Sequence, residues 1–97
     1  MEPLTAIVPN AVRAILRQGP MSPGKLKLAW RVAVGPAMDR ATRVALLDDG
    51  TVEVAAVDAA WRREVKRSQA AILSRLQALI GGNGPTKLRI VSRPSEG

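Results

Sequence analysis

Arg62, Arg63, Lys66 and Arg67 stand at positions i, i+1, i+4 and i+5. On a helix that spacing gathers four cations on one face. Such a face can hold phosphates, and binding of that kind releases counterions and weakens steeply with salt. The same pattern also describes the solvated side of an ordinary amphipathic helix. The spacing alone fits both. Lys87, Arg89 and Arg93 extend the positive charge along the C-terminal segment. Over the whole chain 15 Lys and Arg oppose 8 acids, a net charge of +7. A domain this basic is a candidate polyanion binder, although net charge also serves solubility.

Other chemistry is scarce. The 97 residues include no Cys and no His. That removes most nucleophile–base pairs and most zinc or iron sites. No metal, cofactor or catalytic role is expected. Asp48 and Asp49 precede Gly50 and read as turn residues, not as a catalytic pair. Trp30 and Trp61 are the only aromatic residues. Both fall at core-facing helical positions, which suits core anchors. Trp61 also stands at a helix start beside Arg62 and Arg63, where it can stack on a base or anchor a protein partner. Base stacking on a sheet of the RRM type needs surface Phe or Tyr, and the chain has neither. Gly81-Gly82-Asn83-Gly84 spells the GxxG of KH modules, but it precedes a strand instead of joining two helices. It reads as a helix stop.

The elements that must position these residues follow from periodicity. Residues 9–18 read as a short helix with Val12, Ile15 and Leu16 on one face. Ser22-Pro23 is an N-cap followed by a first-turn proline, opening a second helix with Leu26, Trp30, Ala33, Val34, Ala37 and Met38 at helical spacing. Gly35-Pro36 predicts a kink inside it. Two β-prone runs flank Asp48-Asp49-Gly50-Thr51, a hairpin signal that rests on Gly50. One long helix is expected over residues 59–80, capped by Asp58, with Trp61, Val65, Ile72, Leu76 and Leu79 in one stripe. Residues 86–91 alternate as a strand, with Leu88 and Ile90 inward. The expected class is α+β, in the order α-α-β-β-α-β. A three-stranded sheet packs on helices, and the last strand lies parallel to one hairpin strand. The chain divides into a short helix and linker (1–22), the α/β domain (23–92) and a frayed tail (93–97).

The acids are set apart from the bases. Residues 44–58 hold four acids and no Lys or Arg, whereas residues 59–97 hold eight basic residues and two acids. No apolar run approaches the ~18 residues of a membrane span. The N-terminus lacks a basic start followed by an apolar stretch. A cytoplasmic protein without membrane contact is the expectation, and the lack of cysteine suits it.

Leu28-Ala29-Trp30-Arg31-Val32-Ala33-Val34-Gly35, Ala41-Thr42, Asp49-Gly50-Thr51-Val52-Glu53-Val54 and Ala60-Trp61-Arg62-Arg63-Glu64-Val65 together resemble the DciA family of bacteria. The likeness covers about residues 8–92 and rests on the order and spacing of the pieces. Trp30 and Gly35 match its first motif, and Trp61 and Val65 its second. The resemblance implies a KH-like fold without a functional GxxG loop. It also implies a role in loading or operating the DnaB-type replicative helicase, with affinity for DNA, and single-stranded DNA is the expected form. Family members often carry a basic extension beyond the domain, and little follows Val91 here. An RNA-binding module of KH-like fold is the alternative.

Overall fold

A computed structural model of the chain describes residues 9–81 and 84–92. Its elements are α1 (Asn10–Arg17), α2 (Pro23–Arg40), β1 (Thr42–Leu46), β2 (Val52–Ala56), α3 (Ala59–Arg67), α4 (Gln69–Ile80) and β3 (Leu88–Val91). The class is α+β, as the periodicity predicts, with one more helix than expected.

Local chemistry sets most boundaries. The Ser22 hydroxyl accepts from the Lys25 N–H at 3.2 Å, and Pro23 fills the first helical turn. Asp58 caps α3 by accepting from the Trp61 N–H at 2.8 Å. In the hairpin, the Gly50 N–H donates to the Leu47 carbonyl and the Leu47 N–H to the Thr51 carbonyl. Gly50 has φ 86°, so the loop is a turn completed by one left-handed residue. The Asp49 carboxylate accepts from the Thr51 N–H at 2.9 Å, which holds it below its ordinary pKa. Past α4, Gly81 has φ 90° and its carbonyl accepts from the Gly84 N–H. The helix stop expected there stands at both ends of the GxxG stretch, while Gly82 and Asn83 lie outside the described residues.

The helix expected over residues 59–80 is two helices meeting at Ser68. The apolar stripe steps from Val65 directly to Ile72, and the turn between holds Ser68 and Gln69. Ser68 leaves helical geometry at φ −94°, ψ 6°. Gln69 instead donates its side-chain amide to the Leu88 carbonyl at 3.3 Å, which ties the start of α4 to β3. With nothing apolar to bury at the joint, a straight helix gains little by continuing.

The expected kink in α2 is present. Gly35 has φ 84°, ψ 169°, a region open essentially to glycine alone, and it is buried. Pro36 brings no N–H to the ladder. The Ala33 carbonyl beside the break accepts from the Arg75 guanidinium of α4 at 3.2 Å.

The sheet runs in the order β1-β2-β3, antiparallel then parallel. Parallel neighbours need a crossover, and α3 and α4 supply it. Val52 and Val54 of the central strand, with Leu88, face Leu26, Trp30, Val65, Ile72 and Leu76. Leu16 of α1 enters the same core, whereas Ile15, expected on that face, is 52% exposed. The molecule is only 19 Å thick, as one layer of helices on one sheet should be. No helix among the described residues is long and apolar enough to cross a membrane.

One hydroxyl joins both arms of α2 to the sheet. Thr42 Oγ1 accepts from the buried Trp30 Nε1 at 2.9 Å and donates to the Met38 carbonyl at 2.7 Å. Thr42→Val would leave the indole N–H unpaired in the core. We expect a loss of about 1–3 kcal/mol in urea unfolding. An unchanged midpoint would mean that the indole finds another acceptor.

Candidate nucleic-acid and partner interface

α3 carries the basic stripe. Its only fully buried residue is Val65, which turns the opposite side outward. The helix rests on β2 and β3. Ala59, Arg62, Arg63 and Lys66 of α3 and Ile90 of β3 line a shallow cleft of about 280 Å³. Arg62 is half-buried, and Arg63 and Lys66 are exposed. The cleft therefore has an apolar floor and a rim of three cations.

Arg67 does not join that rim on equal terms. Its Nη2 donates to both carboxylate oxygens of Glu64 at 2.7 Å. The hydrogen bond and the carboxylate charge raise the Arg67 guanidinium above its ordinary pKa. The pair is open to solvent, with side chains 77% and 41% exposed, so water screens it heavily.

Lys87 and Arg89 are exposed but stand on the other side of β3. Alternation puts Leu88 and Ile90 toward the helices and Arg89 on the open sheet face, opposite Glu53 in the register. Lys87 lies close enough to Asp49 to help lower its pKa. The two sets of cations thus flank one sheet edge from opposite faces and do not share a cleft. Arg93 lies outside the described residues.

The two tryptophans differ in burial. Trp30 is 1% exposed and structural. Trp61 is half-buried. It lines a second groove of about 450 Å³ with Val34, Ala37, Met38, Ala60 and Glu64. Three of those residues flank the Gly35-Pro36 kink, so the break in α2 builds one wall of the groove. Sequence reasoning picked out Trp61 and Gly35 separately but missed the wall. The available signal was that residues after a kink leave the face shared by residues before it.

Among the described residues no group of three or more acids could hold a metal ion. In comparison with known proteins, the model of the family described as "Dna[CI] antecedent, DciA" matches residues 3–90. No curated protein matches the chain.

The cleft makes a prediction about salt. Three phosphate contacts on a single strand give a log–log salt slope of about −2, since each contributes about −0.7. Arg63→Ala should make that slope shallower by about 0.7, read by fluorescence anisotropy with oligothymidylate. Arg67→Ala should change it less, because Arg67 lies outside the cleft lining. Equal effects of the two substitutions would contradict the geometry.

Proposed function

This chain belongs to the DciA family, and from that premise we propose that it is an adaptor that binds single-stranded DNA on the α3–β3 cleft and the helicase through Trp61. The family carries a loader-type role toward the DnaB-type replicative helicase. The finer assignment rests on one observation. The three-cation rim and the tryptophan groove both use α3 yet take different residues of it: Arg62, Arg63 and Lys66 for one, Ala60, Trp61 and Glu64 for the other.

Each surface has the chemistry its partner requires. A phosphate backbone needs positive charge with freedom to adjust, and Arg63 and Lys66 have it. An apolar floor at Ile90 gives bases or sugars something to rest on. A protein partner needs a desolvated anchor at the centre of its contact, and tryptophan is enriched in that role. The kinked arm of α2 gives Trp61 a rigid backing. Nothing in this scheme breaks or forms a covalent bond, and the chain acts by holding two partners together.

The test is gel filtration with the cognate DnaB-type helicase, alongside anisotropy with oligothymidylate and an RNA of equal length. The wild-type chain should co-elute with the helicase and prefer the DNA. Trp61→Ala should weaken helicase binding by more than about 2 kcal/mol, a hot-spot loss, with Trp61→Phe recovering most of it. DNA binding should survive both changes. A chain that binds neither partner would sink the proposal, and a clear preference for RNA without helicase contact would replace it with the RNA-binding alternative.

A further inference from the structure

The opposite edge of the sheet holds a second basic groove that the scheme above does not use. β1 is an edge strand. Beside it a groove of about 560 Å³ opens against α2, with Lys27, Leu28 and Arg31 on the helix side and Arg43, Val44 and Ala45 on the strand side. Asp39 is the single acid on its wall. Lys27, Arg31 and Arg43 are exposed, and among the described residues none of them has an ion pair. Trp30 forms part of the lining but is 1% exposed, so it offers no stacking face.

The strand register says which backbone groups are free. The Leu47 N–H donates to Thr51 and the Val57 N–H to Ala41, so residues 47 and 41 turn their backbone groups toward β2. In an antiparallel ladder the sense alternates. Arg43 and Ala45 therefore also bond inward, opposite Ala55 and Glu53. Thr42, Val44 and Leu46 turn their N–H and C=O groups out along the edge. Such a row pairs with a chain that alternates donors and acceptors.

We propose that this edge docks an extended acidic segment of a protein partner, which adds to β1 as a fourth strand. A peptide backbone supplies both donors and acceptors to the edge, as in other strand additions. A phosphate backbone offers acceptors alone and leaves the outward carbonyls unmatched. The spacing of the cations fits as well. Lys27 and Arg31 are four residues apart on a helix, a rise of about 6 Å. Alternate residues of an added strand are about 6.6 Å apart. Acids at every second position face α2 and meet Lys27 and Arg31 in turn, while the residues between them turn to the open sheet face beside Arg43 and Ala45. The site is separate from the α3–β3 cleft and stands whether or not that cleft binds DNA.

The probe is a short fluorescent peptide alternating glutamate and valine, with its lysine–valine counterpart and a short oligothymidylate as comparisons. The acidic peptide should bind. Saturation should slow hydrogen exchange at the Val44 and Leu46 amides in NMR, whereas Arg43 and Ala45 are protected from the start. Lys27→Glu with Arg31→Glu should weaken the peptide at least about tenfold, the worth of one well-placed charge pair. Val44→Pro removes an outward N–H and spares the β1–β2 ladder, so it should abolish binding while the far-ultraviolet spectrum is unchanged. The proposal is overturned if the Val44 and Leu46 amides do not respond, if the lysine peptide binds as well, or if oligothymidylate displaces the acidic peptide from wild type. The exchange measurement decides the matter even if the proline variant fails to fold.

Discussion

The Thr42 hydroxyl ties the two arms of α2 to the first strand. Its oxygen takes the Trp30 indole proton and gives its own proton to the Met38 carbonyl. A hydroxyl has one proton to donate and two lone pairs to accept with, so one small side chain can clamp a helix on both sides of a break. Trp30 lies before the Gly35 kink and Met38 after it. The same residue opens β1, so the clamp also sets where the first strand begins against the helix. From that start the register runs without a slip from Thr42 opposite Ala56 to Leu46 opposite Val52. A one-residue shift would turn Val52 and Val54 out of the core and Glu53 into it.

Two candidate surfaces follow from this arrangement. With β1 fixed, β2 is the central strand and is buried along its length. β3 then falls on the far edge, and α3 crosses over to it with its basic face outward. The kinked end of α2 meets the start of α3, and there Trp61 finds a wall that is neither core nor open solvent. Lys87 and Arg89 stand beside the acids of the hairpin, whereas Arg62, Arg63 and Lys66 gather where α3 meets β3. Charge of that kind steers a polyanion toward the surface before any contact forms.

The residues differ in how far their roles could be read without coordinates. Ser22-Pro23, Asp58 and Gly50 act through neighbours within three residues, so their capping and turn roles were legible. The kink at Gly35-Pro36 was legible for the same reason. The break at Ser68 was not, because Trp61, Val65, Ile72, Leu76 and Leu79 keep helical phase across it. Only the polar pair Ser68-Gln69 marks the gap, and Gln69 shows its purpose once β3 is beside it. Arg62, Arg63, Lys66 and Arg67 read as equals in the sequence. The Glu64 ion pair separates Arg67 from the others, and strand alternation sends Arg89 to the opposite face from Ile90. The groove beneath Trp61 depends on Val34, Ala37 and Met38, more than twenty positions away, and no local pattern encodes that distance.

The central claim is that DNA and helicase meet different residues of one helix. Nitrogen-edited NMR of the chain, titrated first with oligothymidylate and then with the helicase domain it contacts, tests this most directly. The account predicts that DNA moves the amides of Arg62, Arg63, Lys66 and Ile90 and leaves the Trp61 indole in place. The helicase should then move or broaden that indole without releasing the DNA. Displacement of the DNA on adding helicase, or DNA-induced shifts confined to residues outside α3 and β3, would contradict it.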